Sequence, residues 1–225
     1  MFNLTNPDRV IRVGVILLKG IAELIDVAPV ELFRHVSHEF VDFLPSSVVP
    51  DQLKPQAHNF DFHWVSEAGP ALPMPGTSGV TIVPTDSFET CPQLDIVIIG
   101  ASGAIVPNLA EVQFLKKSYE ESSALITVCF GMLGPMMAGL FEGKTVTAPR
   151  FALDGFKAVT PNTTWVDKRW VQDGKLWTSG TLLNGLDVVS AFIQHTWPSG
   201  EGTLTDVIMK MAAWPTGSDS YDDTV

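Results

Sequence analysis

Of the two cysteines in this chain, Cys129 stands where a thiol could react. Residues 124–128 (Ala-Leu-Ile-Thr-Val) form a short apolar and β-branched run bounded by Glu121, Ser122 and Ser123, which reads as a buried strand. Directly after Cys129 the period changes. Gly131, Gly134, Ala138 and Gly139 are small, and Met132, Leu133, Met136 and Met137 supply an apolar helical face. A side chain on such a strand-to-helix turn sits above the carboxyl edge of a sheet, the geometry of a nucleophile elbow when serine occupies it. The following helix start offers free N–H groups and a partial positive charge, both of which favour a thiolate. The competing reading is a structural cysteine, since free cysteine is among the most buried residue types; the position favours the elbow. Cys91 precedes Pro92 in a loop and has no such setting.

The other chemistry-bearing residues form no obvious partnership with it. The five histidines are His35, His38, His58, His63 and His195, and no Cys–His dyad can be assembled from local sequence. His35 and His38 read as surface groups on a first helix, His63 as a core or interface residue, and His195 as a partner for the negative end of a helix. No spacing suggests a metal site. Four of the six tryptophans, at 64, 165, 170 and 177, fall in strand-like segments, where packing is the first reading and a hydrophobic pocket the second.

Composition limits what this thiol can serve. The 225 residues suit one large domain, and 45% hydrophobic against 17% charged residues is enough for a sizeable core. We expect a single domain over 1–225, with 1–9 and 217–225 as flexible ends. A net charge of −11 without a basic cluster makes a poor binder of phosphate backbones, so nucleic acid is not an expected partner. Two cysteines do not make a disulfide scaffold. No apolar run approaches the roughly 18 residues of a membrane span, and the N-terminal residues lack a basic region followed by an apolar core. A protein of the cytosol is expected.

The elements that must position Cys129 are legible as alternating strands and helices. Residues 13–18 (Val-Gly-Val-Ile-Leu-Leu) form a near-continuous apolar run, as in a strand covered on both faces. A helix is predicted from Pro29 through Val36. Residues 41–58 read as loop, 60–65 (Phe-Asp-Phe-His-Trp-Val) as an alternating strand, and 80–83 as a short strand. Residues 95–100 (Asp-Ile-Val-Ile-Ile-Gly) form the next buried strand, followed by a helix over 111–122. A strand begins at 144–147. Residues 163–166 and 169–171 read as an antiparallel pair before a turn at Asp173-Gly174. Residues 176–181 form a last strand feeding a helix over 182–194, with another helix near 205–213. This order implies an α/β sandwich with a mainly parallel sheet, whose sites form at the carboxyl ends of the strands. Leu18, Gly100, Cys129 and Ser179 are thereby expected at one rim.

At this point the chain resembles the ThiJ/PfpI superfamily, whose fold is flavodoxin-like, the sandwich of class I glutamine amidotransferases. The resemblance runs over roughly residues 10–196. It rests on the first strand with Lys19-Gly20, on 24–33 (Leu-Ile-Asp-Val-Ala-Pro-Val-Glu-Leu-Phe), on 95–100, on the elbow at Cys129, and on Asp173-Gly174 with 178–187 (Thr-Ser-Gly-Thr-Leu-Leu-Asn-Gly-Leu-Asp). Residues 77–80 (Thr-Ser-Gly-Val) and 91–95 (Cys-Pro-Gln-Leu-Asp) look like the fungal branch, whose members resemble isocyanide hydratases more than glyoxalases.

The resemblance implies a cysteine nucleophile, Cys129, and a protonated carboxylic acid from the loop after the first strand that donates a hydrogen bond to it. Asp26 is the first candidate for that acid and Glu23 the second; Asp26 as a helix cap is the competing reading. Backbone N–H groups at Gly100, Ala101 and Phe130 are the candidate oxyanion donors. Ser102, Gly131, Ser179 and Thr181 are the candidate pocket residues. Two departures bear on the reaction. Phe130 follows the nucleophile, where relatives carry His or Thr, and residues 147–149 (Thr-Ala-Pro) lie where glyoxalase-like members carry a His. The expectation is a cofactor-independent homodimeric enzyme that adds water to, or rearranges, a small or medium hydrophobic electrophile, as an isocyanide hydratase does. The alternatives are a glyoxalase or deglycase acting on methylglyoxal, and a redox-responsive protein whose Cys129 is oxidised without turnover.

Overall fold

The structure is a computed structural model that describes residues 2–103, 106–215 and 217–221. Its centre is a seven-stranded sheet made of β1 (Ile11–Ile16), β2 (Phe60–Ser66), β3 (Asp86–Ser87), β4 (Ile96–Ile99), β5 (Ala124–Thr127), β6 (Trp170–Asp173) and β7 (Leu176–Ser179), in the order β6-β7-β5-β4-β1-β2-β3. Every neighbouring pair is parallel except the β6–β7 hairpin. Helices lie on both faces, as parallel strands require. The fold is therefore the flavodoxin-like sandwich expected.

The strands form where the sequence has no face to give to water. In β4 all four side chains are buried; Ile96 and Ile98 enter one core, Val97 and Ile99 the other. The two-residue period divides them between the layers. Each such side chain contributes roughly 1.5–3 kcal/mol on burial, so the strand is held from both sides. One core is closed by Phe33, Phe192 and Trp197, the other by Leu115, Met132 and Phe141. The register aligns Ile16, Ile99 and Thr127, and pairs Thr127 with Thr178, so the chain leaves β1, β4, β5 and β7 at one rim.

Several local expectations are corrected. The predicted helix from Pro29 begins earlier, as a chain of short turns: α1 (Leu24–Val27), a 3-10 turn at Ala28–Val30, and α2 (Glu31–His35). Residues 164–165 do not pair with 169–171. Thr145–Val146 pairs in parallel with Thr164–Trp165, and the Asp173-Gly174 turn instead joins β6 to β7. Gly174 there has φ +60°, the left-handed conformation that the expected tight turn requires. The long helix α3 (Leu109–Glu121) starts from a capping box in which Asn108 and Glu111 satisfy each other's backbone N–H.

The ends are fastened rather than loose where they are described. Leu4 is buried and its carbonyl accepts the Trp197 indole N–H at 2.8 Å, and Arg9 pairs with the fully buried Asp95 at 2.7 Å. At the other end Arg169 N–H donates to the Asp219 carbonyl at 2.7 Å, and Lys168 pairs with the Asp219 carboxylate. Met1 and residues 222–225 of those expected flexible ends lie outside the described residues.

Candidate active site

Cys129 closes β5 and begins the turn that leads into a five-residue helix, α4 (Leu133–Met137). Its φ is +54°, in the left-handed region that L-residues other than glycine seldom visit. The turn fits against the sheet because Gly131 follows: a Cβ there would lie 2.2 Å from the Ile99 carbonyl oxygen and 2.7 Å from the Gly100 carbonyl carbon. Gly100 is constrained in the same way, its added Cβ falling 2.9 Å from Asp26 Cβ and 2.8 Å from Val27 Cγ1. These two glycines bring β4, the Cys129 turn and α1 into contact.

Asp26 is the acid that this contact delivers. It is fully buried, and its Oδ2 accepts the Ala101 N–H at 3.0 Å. It does not cap its own helix, since Glu23 holds the cap position and makes no side-chain cap bond. Asp26 Oδ1 is buried with no hydrogen-bond partner among the described residues. The Cys129 thiol interacts with the same carboxyl group, at a geometry short of a formed hydrogen bond. Burial is the largest influence on Asp26 and pushes its pKa up to about 7, with the Glu23 charge adding to the rise; the Ala101 N–H and Cys129 act against it.

Cys129 is buried, at 8% exposure, and burial pushes the thiol pKa up rather than down. The Asp26 and Glu23 charges add to that rise, while the N–H groups of Leu182 and Phe130 oppose it. A short 3-10 turn and a five-residue helix carry little dipole, so the expected helix-end assistance is outweighed by desolvation. Cys91 is no rival: burial pushes its pKa to about 12.

The remaining candidates divide. Glu23 is half-buried, and its carboxylate accepts the Thr77 hydroxyl at 3.0 Å, so it reaches the site by its charge. The loop that carries it is bonded on both sides: Ala22 N–H donates to Pro75 O, Glu23 N–H to Ala101 O, and Gly103 N–H to Ile21 O. Gly100, Ser102, Phe130 and Gly131 come together around a depression of about 10 Å³, room for about one water. The Ala101 N–H is not open to an oxyanion, because Asp26 already accepts it. Ser179 does not line this space; it is fully buried and its hydroxyl donates to the Thr127 carbonyl at 3.3 Å, inside the sheet. Thr181 N–H is taken by Asn184 Oδ1. A larger cleft of about 720 Å³, lined by Leu17, Lys19, Leu72 and Met74, meets the depression at Glu111, and neither Cys129 nor Asp26 lines it.

The histidines are occupied elsewhere. His35 accepts the Trp214 indole N–H, His58 stacks 4.6 Å from Trp197, and His63 lies between Asp61 and Asp86. His38 pairs with Asp42, and His195 packs on Trp177. Among the described residues no group of His, Cys, Asp and Glu could hold a metal ion. Phe130 instead joins an aromatic cluster, 5.7 Å from Phe151 and 6.4 Å from Phe156. Leu182 was missed from sequence, because it acts through a backbone N–H that any residue possesses.

Comparison with known proteins gives a consistent grouping. A model of the DJ-1/PfpI family matches residues 12–195. An isonitrile hydratase of Pseudomonas putida is 26% identical over 159 residues, covering 68% of this chain and 68% of that protein. A ThiJ/PfpI family protein from Pseudomonas syringae superposes with a TM-score of 0.66 at 19% identity, over 93% of this chain and 77% of its own. Drosophila melanogaster DJ-1beta gives 0.68 at 15% identity, over 92% and 100%. The two structures share the fold.

Proposed function

The chain belongs to the DJ-1/PfpI family, and from that premise we propose that it is a cofactor-independent enzyme in which Cys129 adds to a hydrophobic electrophile of the isocyanide type. The observation that carries this reading is the pairing of a left-handed elbow cysteine with a buried carboxyl group whose pKa lies near 7 and whose second oxygen has no partner among the described residues. Such an acid is protonated at or below neutral pH and can hand a proton to a reacting carbon or nitrogen.

The chemistry balances without a redox partner. The Cys129 thiolate forms an S–C bond to the terminal carbon of the isocyanide, and a proton from Asp26 reaches that carbon to give a thioimidate. Water then adds to the same carbon, one of its protons going to the nitrogen and the other back to the Asp26 carboxylate, and the C–S bond breaks to release the thiolate and an N-substituted formamide. The sum is isocyanide plus water. The Phe130–Phe151–Phe156 cluster and the exposed Leu182 and Leu183 favour an apolar substituent on the nitrogen. The likeness to isonitrile hydratase supports the same substrate class. Following the resemblance, the enzyme acts as a homodimer in the cytosol, where Cys91 and Cys129 stay as free thiols; light scattering returning the 24.4 kDa of one chain at micromolar concentration would count against the dimer.

The direct test offers the purified protein an aryl isocyanide and methylglyoxal in parallel, with Cys129→Ala as control. Formamide formed by the wild type and not by Cys129→Ala supports the reading. Consumption of methylglyoxal alone transfers the site to glyoxalase chemistry. Turnover of neither, with a mass gain of two oxygens on Cys129 after mild peroxide, makes it a redox-responsive thiol.

A further inference from the structure

Asn184 opens the helix after β7, and its side chain is a junction. Its Oδ1 accepts the Thr181 N–H at 3.1 Å and the Tyr221 hydroxyl at 3.0 Å, and its Nδ2 donates to Asp187 Oδ2 at 3.0 Å. Asp187 is buried and holds the Arg169 guanidinium at 2.6 Å. Tyr221 is held independently of Asn184: the Arg150 guanidinium lies 4.4 Å from its ring centroid, and Asp219, two residues earlier, is bound by Arg169 N–H and by Lys168. The Tyr221 hydroxyl also rests on Gly180, where a Cβ would come within 2.5 Å of it. These contacts converge on residues 180–184. Inside that turn Leu182 has φ +32°, and the turn packs on the strand that leads to the cysteine: Thr178 pairs with Thr127, and a Cβ at Gly185 would lie 2.8 Å from Val128 Cγ1, while the Leu182 N–H opposes the rise in the Cys129 pKa. A left-handed leucine persists only where its surroundings over-determine it, and the Asn184 junction is what surrounds it.

We propose that Tyr221 is a positioning residue for the cysteine: its hydroxyl, through Asn184, fixes the 180–184 turn so that the Leu182 N–H stays directed at Cys129. The inference rests on the reading of Cys129 as the reacting thiol. The groups that act on the thiol are the carboxyl groups of Asp26 and, by its charge, Glu23, and the N–H groups of Phe130 and Leu182, and only the last belongs to this turn. The charged groups around Tyr221 are Arg150, Arg169, Asp167 and Asp187. Loss of the hydroxyl loosens one donor to the thiolate and leaves the two acids in place.

The test is the pH dependence of Cys129 alkylation by iodoacetamide, read by peptide-resolved mass spectrometry on the full chain. Tyr221→Phe keeps the ring under Arg150 and removes only the hydroxyl. It is expected to raise the alkylation midpoint by about half a unit, roughly a threefold slower reaction at neutral pH. Asn184→Ala should raise it as well, and the double variant should add little beyond the larger single effect. Thr203→Ala, which loses a helix cap whose hydroxyl accepts Asp206 N–H, controls for general destabilisation and should lower Tm without moving the midpoint. An unchanged midpoint in Tyr221→Phe overturns the inference, whatever its Tm. If wild-type Cys129 is not alkylated at any pH, the proposed function fails, and amide exchange of residues 180–186 decides the inference separately. Faster exchange there in Tyr221→Phe upholds the positioning role of Tyr221; unchanged protection overturns it.

Discussion

The negative charge available to Asp26 and Cys129 can sit on oxygen or on sulfur, and each choice raises the cost of the other. Burial pushes both groups toward neutrality, so the pair titrates as a unit. The N–H groups of Phe130 and Leu182 favour the sulfur, and a protonated Asp26 removes the repulsion that its carboxylate would exert. If the protonated acid also donates to the thiolate, Asp26→Ala should raise the thiol pKa by on the order of one unit, equivalent to about 1.4 kcal/mol. A fall in the thiol pKa would mean that the sulfur faces a carboxylate instead. Turnover needs the singly protonated pair with its proton on Asp26, so it should rise as pH passes about 7, where the pair loses its first proton, and decline at alkaline pH beyond the raised thiol range, where the second proton leaves. The stability effect has the opposite sign across the lower window. Between the unfolded value of 3.8 and about 7 the folded protein binds the extra proton, so stability is highest below that window and falls as pH rises through it. Asp26→Asn should flatten this dependence in urea titrations at pH 5 and pH 8. Cys91, pushed to about 12 by burial and the Asp86 charge, should be irrelevant: Cys91→Ser should leave iodoacetamide labelling at pH 7 as it is, and Cys129→Ala should abolish it.

Short elements with tight backbone contacts carry the site, and they account for what the sequence concealed. Gly131 is the clearest case. A Cβ at 2.2 Å from the Ile99 carbonyl oxygen meets backbone, which cannot swing aside as a side chain does. Gly131→Ala should therefore cost about 3 kcal/mol and displace the Cys129 turn, lowering both Tm and alkylation rate. If Tm holds within a degree, the close approach is wrong. The apolar strands were legible because burial on both faces leaves a continuous run, and so were the Cys129 turn and the Asp173-Gly174 hairpin, each marked by a change of period or a left-handed glycine. The start of α1 was not. Residues 24–27 form one four-residue turn, too short for a 3.6-residue period to register, yet it is the turn that carries Asp26. The partner of residues 164–165 is not legible in the sequence, because a two-residue strand specifies no register of its own. Ser179 sits at a strand end like Cys129, but pleating turns its hydroxyl into the sheet. Leu182, Asn184 and Tyr221 left no local signal, because their contacts join segments far apart in the chain, 37 residues between Asn184 and Tyr221, and run through backbone groups or a single hydroxyl.

At the scale of the molecule, the sheet is closed by charges that enter it from the chain's N-terminal segment. Asp95 precedes β4 and is fully buried, and both of its oxygens are engaged: the Arg9 guanidinium donates to Oδ2 at 2.7 Å and to Oδ1 at 2.8 Å, and the Arg12 N–H to Oδ2 at 2.9 Å. The Asp95 carbonyl accepts the N–H groups of Ser123 and Ala124, which start β5. One acidic residue thus ties the first, fourth and fifth strands at the rim opposite Cys129. Arg9 is partly exposed, and its guanidinium also lies 4.0 Å from the Phe2 ring centroid. An isolated surface pair would be worth little, but removing Arg9 leaves a carboxylate with no countercharge in a buried position, where the penalty is roughly 3 kcal/mol or somewhat less given the exposure of the arginine. Arg9→Ala should lower stability by that order, and Asp95→Asn, which keeps the shape and one acceptor, loses the charge and sets its amide N–H against a donor, should lower it less because no charge is left buried without a partner. The double variant should recover part of the Arg9→Ala loss, because the stranded charge is then gone. Urea unfolding of the four proteins measures the cycle. Equal losses for Arg9→Ala and for the double variant would mean that Arg9 acts through its packing on Phe2 alone, and that the rim is held by the backbone bonds of Asp95.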